Sequence, residues 1–401
     1  MGDNVWILGT TMTKFGRHGD KDLIDLASDA ALGALADGGV TIHDMEVLGC
    51  GSLFNAMAGV GQQLQKQIGQ TGIPVYNVAN ACATGATALR TVYLTIKAGE
   101  ADMGLAVGVE QMGKGGLLGV DGKGDRGRKV YEPHGRYGSV MQVEGLLGTG
   151  LMPGVFAQAG MEYAYEHGGV GFEQFAKVAE KNHAHSTLNP LAHYQKAFSL
   201  EEVMGDAMMS YPNTRLMCCP NTDGAAAVVL VSEEKLRTLS KEQQRRAVKI
   251  SASVLTTDPW TETAQVQPDV NTLTRNAAVK AYEISGVDPQ DLDLVELHDC
   301  FATAELVHYD NLQLCAPGEA GKFIDERGPW RDGKIPVNVS GGLISKGHPI
   351  GATGIANVYE VATHLRGEAG DRQIEGAKVG LTHVIGLGSA CAVHVLEKST
   401  V

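Results

Sequence analysis

The chain carries one plan twice, and that duplication limits its fold more than any other feature. A helix-like run, Leu26-Ala27-Ser28-Asp29-Ala30-Ala31-Leu32, leads through Gly39-Val40 to Asp44-Met45-Glu46-Val47-Leu48. Far downstream, Asn276-Ala277-Ala278-Val279-Lys280-Ala281-Tyr282 leads through Gly286-Val287 to Asp291-Leu292-Asp293-Leu294-Val295, with Val287 and Asp291 at the same distance from Val40 and Asp44. Deeper in, Cys82-Ala83-Thr84-Gly85-Ala86-Thr87-Ala88-Leu89 matches His348-Pro349-Ile350-Gly351-Ala352-Thr353-Gly354-Ile355. The halves close alike, Ala225 to Leu230 before Ser232-Glu233-Glu234-Lys235 and Ala390 to Leu396 before Glu397-Lys398. Solenoids repeat every ~20–50 residues, so one duplication of whole halves is something else. Short apolar runs alternating with helical patterns predict two similar α/β units. Their expected limits are residues 1–236 and 245–401. The first half is longer, because residues 113–212 separate its third strand, Ala101 to Val109, from its last. Long insertions in α/β folds tend to be functional, so this segment is expected to form a loop domain over the active face. It includes an amphipathic helix around Phe172 to His185.

The placement of charge says which segments go inside. Gln67 to Leu89, Gly347 to Tyr359 and Val379 to Leu396 hold no Asp, Glu, Lys or Arg, which marks them as interior candidates. Each has too much Gly, Thr, Asn or Pro for the ~20 mostly apolar residues of a membrane span. A formal net charge of −13 argues against nucleic-acid binding, which needs a concentrated basic surface. Seven cysteines in 401 residues, without paired spacing, read as free thiols of a reducing compartment. The N-terminus shows no signal peptide or myristoylation pattern, and Ser399-Thr400-Val401 is no peroxisomal tripeptide, so a cytoplasmic location is expected. Gly113-Lys114-Gly115-Gly116 superficially resembles a phosphate loop but lacks Walker spacing. It reads as a solvated loop or as a contact for the phosphates of a large ligand.

The repeat also pairs two reactive side chains. Cys82 and His348 hold equivalent positions, each after a strand (Val75 to Val78; Ile335 to Val339) and before a helix of small residues. Helix N-termini offer free N–H groups and a positive dipole end, which favour a thiolate and an oxyanion. A pseudo-twofold would bring the two ends together as a nucleophile–base pair. On these grounds the Cys82 thiol is expected to titrate below the ~8.5 of free cysteine. His183, His185 and His193 lack the partners of a metal site and are expected to be solvated or capping; no metal is expected. Cys218, Cys219 and Cys315 are expected to pack, and Cys391 to lie in the closing strand. Asp299 is expected either to orient a histidine or to form a salt bridge.

Asn80-Ala81-Cys82-Ala83-Thr84-Gly85, His298-Asp299-Cys300-Phe301, Gly347-His348-Pro349-Ile350-Gly351-Ala352-Thr353-Gly354 and Ile385-Gly386-Leu387-Gly388 together resemble the thiolase superfamily. They look most like the sterol-carrier-protein-X-type and bacterial lipid-transfer-protein-like thiolases, as does Met217-Cys218-Cys219-Pro220 before Asp223-Gly224-Ala225-Ala226. The resemblance runs from Trp6 to Lys398 and implies a five-layered αβαβα fold with coenzyme A as co-substrate and no tightly bound cofactor. By matching motif, Cys82 would be the acylated nucleophile and His348 its base. The N–H groups of Cys82 and Gly386 would form one oxyanion hole; His348 and His298 would hold the thioester oxygen. Ordinary thiolases carry Asn-Glu-Ala-Phe where this chain has His298-Asp299-Cys300-Phe301. They also carry a second catalytic Cys in a Cys-x-Gly motif where Val384-Ile385-Gly386 stands. The proton shuttle at the α-carbon is therefore missing from its usual place. Cys300 is the substitute that the resemblance suggests, with mere packing beside Phe301 as the alternative.

The expected function is cleavage of a 3-ketoacyl-CoA, or the reverse Claisen condensation, through acyl-Cys82. The rivals are a thiolase-like carbon–carbon lyase or condensing enzyme working with a small zinc-ribbon/OB-fold partner, and a non-catalytic lipid or acyl-CoA carrier. A homodimer or dimer of dimers is expected, with part of Gln67 to Leu89 paired across the twofold.

Overall fold

The computed structural model describes residues 4–113, 151–259, 270–387 and 390–400. Its strands are β1 (Val5–Met12), β2 (Val47–Gly51), β3 (Val75–Val78), β4 (Met103–Glu110), β5 (Met208–Ser210), β6 (Asn213–Thr214), β7 (Gly224–Ser232), β8 (Val248–Thr256), β9 (Leu294–Glu296), β10 (Val379–Gly386) and β11 (Ala390–Lys398). Nine of them form one sheet in the order β3-β2-β4-β7-β1-β8-β11-β10-β9. That order reads as the same pattern from either end. β2 is parallel to β3 and β4, while β7 runs antiparallel to β4 and β1. In the second half β9 is parallel to β10, and β11 runs antiparallel to β10 and β8. The halves meet at an antiparallel seam, Val5 opposite Ile250 and Ile7 opposite Val248. The counterpart of β3, expected over Ile335 to Val339, is a single parallel bridge between Val337 and Val295. Pro336 has no N–H to extend a ladder there.

Five layers follow from three apolar clusters. Helices Thr84–Lys97 and Thr353–Arg366 pack on each other between the sheet halves, where Leu89, Val92, Ile355 and Val358 share one cluster with Ile7 and Ile250. Outside the first half, helix Leu23–Asp37 lays Leu26, Ala27, Ala30 and Ala34 on β7 and β1. Its N-terminus is closed by Asp22, whose carboxylate accepts from the N–H groups of Ile24 and Asp25 at 2.8 and 2.9 Å. Helix Val270–Ser285 covers β8 and β11 of the second half. β7 itself, Gly224–Ser232, is all small and β-branched residues apart from Leu230 and is buried on both faces, as a central strand between two helical layers must be.

The segment inserted in the first half supplies helices Leu151–His167 and Phe172–Ser186 and the β5/β6 hairpin. Both helices rest on helix Ala302–Asn311, so Phe156 and Phe175 join Phe301 and Leu306 in one core. Beyond Gly113, the Gly-rich basic stretch lies outside the described residues.

Two of the three uncharged segments are interior throughout most of their length. Gln67 to Leu89 is a partial correction: Gln70, Gly72, Pro74, Tyr76 and Ala79 are not buried, and after Ile68 burial resumes only at Ala83. The cause is topological, since β3 is an outer strand with β2 as its one sheet neighbour. No helix among the described residues is long and apolar enough to cross a membrane.

Candidate active site

Cys82 stands on a tight turn between β3 and the central helix Thr84–Lys97. Ala81, just before it, takes a left-handed φ of 46°. The Thr84 hydroxyl fixes that turn, accepting from Asn80 N–H at 2.8 Å and donating to Ala81 C=O at 2.6 Å. His348 sits at the same place before helix Thr353–Arg366. The two ends meet through glycine: a Cβ on Gly85 would lie 2.6 Å from the Gly351 carbonyl, and one on Gly354 2.4 Å from the Ala86 nitrogen. Side chains at either position would push the helix ends apart. Gly386, at the end of β10, backs onto the same turn. A Cβ there would be 2.7 Å from the Asn80 carbonyl and 3.2 Å from the Ala83 nitrogen. The backbone of Gly386 is thereby held beside that of Cys82, while Gly388 lies outside the described residues.

The Thr353 hydroxyl lies 2.7 Å from His348 Nδ1 and 2.9 Å from the Pro349 carbonyl. With its proton on the carbonyl, its oxygen accepts from Nδ1 and leaves the lone pair on Nε2, which is buried and without a partner. His298 lies edge-on to His348, ring centroids 5.2 Å apart and planes at 80°. Its Nδ1 is also buried and unpartnered, and its backbone N–H reaches Nδ1 of His383 at 3.4 Å. One ligating atom from each of Cys82, His298 and His348 lies within 4.8 Å of the other two.

The electrostatics correct the expectation of a lowered Cys82 pKa. Burial pushes the Cys82 thiol up to about 12, with the buried Glu110 carboxylate adding to the rise. Burial likewise takes His348 down to about 3. His298 falls well below the ordinary imidazole range, through burial first and then the neighbouring His348, His383 and His308. The resting pair is a neutral thiol and a neutral imidazole. Desolvation outweighs the helix end here, and the helix proper begins only at Thr84.

Cys300 is 5% exposed, and burial, then Cys219 and Cys82, hold its thiol well above the ordinary range. Its carbonyl accepts from Cys219 N–H at 2.9 Å, which ties Cys300 to the strip Cys218-Cys219. Asp299 plays neither of its expected parts. Its carboxylate accepts from Leu343 N–H at 2.7 Å, Ile344 N–H at 3.2 Å and the Asn182 amide at 2.8 Å, so it secures the short helix Gly342–Lys346 that precedes His348. His183 and His185 are buried clips rather than solvated groups. The first bridges the Ser345 hydroxyl and the Leu216 carbonyl, and the second bonds the Asn338 carbonyl and Arg331 N–H. His193, half-buried, meets the Thr222 hydroxyl at 3.0 Å.

Sequence reasoning misses four contributors: Thr353, His383, Cys219 and Phe156, whose ring lies 6.4 Å from that of His298. Thr353 is legible in principle, as a hydroxyl five residues after the base and four after the Pro349 carbonyl. Cys219 stands in a motif that sequence alone reads as packing. It lines a cavity of about 450 Å³ with Tyr194, Phe198, Met209, Leu216 and Cys218; beyond burial, the Cys82 thiol helps raise its pKa, and it in turn helps raise that of Cys300. A separate cavity of about 990 Å³ is lined by Arg275, Cys315, Lys322 and Lys334 and by none of the site residues.

Comparison with known proteins accords with this geometry. A family model described as "Thiolase, N-terminal domain" matches residues 5–196, and one described as "Thiolase C-terminal domain-like" matches residues 258–398. Sterol carrier protein 2 of Bos taurus is 39% identical over 397 residues, which is 98% of this chain and 72% of that protein. Acetyl-CoA acetyltransferase of Methanothermobacter thermautotrophicus is 34% identical, over 98% of this chain and 100% of its own length. Among solved structures, the Ltp2-ChsH2(DUF35) aldolase superposes with a TM-score of 0.81 at 21% identity, covering 99% of this chain and 98% of that one.

Proposed function

The chain belongs to the thiolase family, and from that premise we propose that it is a CoA-dependent acyltransferase that cleaves 3-ketoacyl-CoA, or forms it in reverse, through an acyl-Cys82 intermediate. The observation that carries this reading is the free Nε2 lone pair of His348, grouped with Cys82 and His298 within 4.8 Å. A neutral Cys–His pair needs the substrate to start the reaction. As Cys82 Sγ bonds to the 3-keto carbon, its proton passes to Nε2 of His348, and the Cys82 and Gly386 N–H groups receive the oxyanion. The C2–C3 bond then breaks. Its electrons form an acetyl-CoA enolate, whose oxygen takes hydrogen bonds from the now protonated His348 and from His298. Cys300, a thiol that burial keeps protonated, gives its proton to the enolate carbon. The Cys300 thiolate takes a proton from incoming CoA, CoA attacks the acyl group, and the departing Cys82 sulfur recovers its proton from His348. Every group ends as it began.

Incubation with acetyl-CoA and intact-mass measurement tests the central step. One acetyl group is expected on Cys82, lost in Cys82→Ala; no acetylation of the wild-type chain refutes it. A lyase would use the enolate chemistry without an acyl-cysteine, and the joint presence of Cys82 and a basic His348 favours acyl transfer over it. The solved Ltp2-ChsH2(DUF35) aldolase has a DUF35 component, and a small partner of that kind fits here as an accessory of the same acyl chemistry. A homodimer is supported by β3, an uncharged outer strand whose Tyr76 is 47% exposed. Light scattering showing a monomer at micromolar concentration would refute it.

A further inference from the structure

We propose that Cys82, His298 and His348 form a three-ligand site for a thiophilic divalent cation of the zinc type, and that its occupancy blocks acylation. The donors are one sulfur and two imidazole nitrogens, the set that suits zinc, and none is an oxygen of the kind that calcium or magnesium requires. Their spacing fits. Zinc bonds of about 2.3 Å to sulfur and 2.0–2.1 Å to nitrogen put tetrahedral donors roughly 3.3–3.6 Å apart. The three atoms already lie within 4.8 Å of one another, so side-chain rotation of about 1 Å closes the site.

A second observation points to a ligand. Nε2 of His348 and Nδ1 of His298 are both buried with no hydrogen-bond partner, in residues 5% and 1% exposed. Orphaned buried polar atoms are costly, and here two belong to the same three-residue group. The other ring nitrogen of His348, Nδ1, lies 2.7 Å from the Thr353 hydroxyl, the kind of outer contact that orients a metal-bound histidine. Three protein ligands leave a fourth position for a water. In binding, the Cys82 S–H bond breaks and a sulfur–metal bond forms. The proton leaves to solvent and no electron is transferred.

Metal binding stands on the geometry alone, whereas the block of acylation rests on the acyl-transfer reading above. The test uses the reduced 401-residue chain, freed of metal, and titrates Co2+ by absorption and Zn2+ by calorimetry. One equivalent should bind, with a thiolate-to-cobalt charge-transfer band. Cys82→Ser should abolish that band, and His298→Asn should weaken binding by at least the ~10–100-fold typical of a lost supporting group. Cys315→Ser, in the remote cavity, should change nothing, and thermal melting identifies any variant that has not folded. Thr353→Val, which leaves all three ligands in place, should also weaken binding ~10–100-fold. One equivalent of Zn2+ should prevent acetylation by acetyl-CoA, and a chelator should restore it. The absence of a charge-transfer band, or an equal band in Cys82→Ser, overturns the site. Acetylation that proceeds unhindered with zinc bound overturns the block. Cobalt binding without acetylation in metal-free buffer upholds the site and overturns the acyl-transfer reading instead.

Discussion

Cys82 should react slowly with a simple alkylating agent at neutral pH, although it is the proposed nucleophile. With its thiol pushed up to about 12, roughly 10⁻⁵ of it is thiolate at pH 7, against about 3% for a free thiol of pKa ~8.5. Higher basicity makes the rare thiolate a better nucleophile, by about 40-fold at a Brønsted slope of ~0.4–0.5. The balance is iodoacetamide labelling roughly 10²-fold slower than free cysteine at pH 7. The rate should climb about tenfold per pH unit from pH 7 to 10, with no levelling near the ~8.5 of a free thiol. Acetylation by acetyl-CoA should instead be nearly flat from pH 5 to 9. His348, brought down to about 3, stays a neutral base throughout, and the proton passes to it within the complex. Timed labelling, digestion and mass spectrometry of the Cys82 peptide measure both rates. In His348→Asn the alkylation profile should keep its shape while acetylation falls by the ~10²–10⁴-fold of a lost general base. A plateau in wild-type alkylation below pH 8 would show a thiolate–imidazolium resting pair and refute the reasoning.

Cys300→Ala should still be acetylated on Cys82, yet lose turnover ~10²–10⁴-fold together with exchange of acetyl-CoA methyl protons into deuterated water, followed by NMR. Near wild-type turnover would move the proton transfer to His298 or water. Gly85→Ala should cost at least the ~1–3 kcal/mol of an overpacked core and depress acetylation, because its Cβ would sit 2.6 Å from the Gly351 carbonyl; Gly205→Ala, with nothing near its Cβ and no positive φ, should leave the acetylation rate intact. Acid should unfold the chain steeply. His298, His308, His348, His383 and His394 are all buried and all held below the ordinary imidazole value by burial first. Below pH ~6.5 the unfolded chain binds protons that the folded one refuses, so each costs about 1.4 kcal/mol per pH unit until its folded value is reached. Denaturant midpoints that stay constant from pH 7 to 5 would contradict this.

The duplication carried most of the fold because a repeat constrains topology directly. Matching the Cys82 segment to the His348 segment already required two equivalent helix ends facing each other, and the sheet order turns on that symmetry. The uncharged run Gln67 to Leu89 misleads for the complementary reason. Lack of charge does not by itself mean burial, and β3, an outer strand with one sheet neighbour, lacks charge as a core strand does. In one chain the two give the same pattern.

Within the site, residue type was legible and electrostatic state was not. Cys82, His298, Cys300 and His348 stand in motifs that can be read by eye, but their pKa values depend on how much water is excluded, which no local spacing encodes. A helix end and a histidine both argue for a thiolate. The surrounding core, from Glu110 beneath to Cys219 and Cys300 alongside, argues for a thiol, and burial is the larger effect. The same exclusion explains why the site can serve an acyl transfer that needs no resting charge. A buried ion pair would have to be desolvated before substrate arrived, whereas a neutral pair separates charge only when an oxyanion is forming within reach of the Cys82 and Gly386 N–H groups. In the proposed acyl transfer, burial therefore defers activation of Cys82 to the moment at which the substrate carbonyl is in place to receive it.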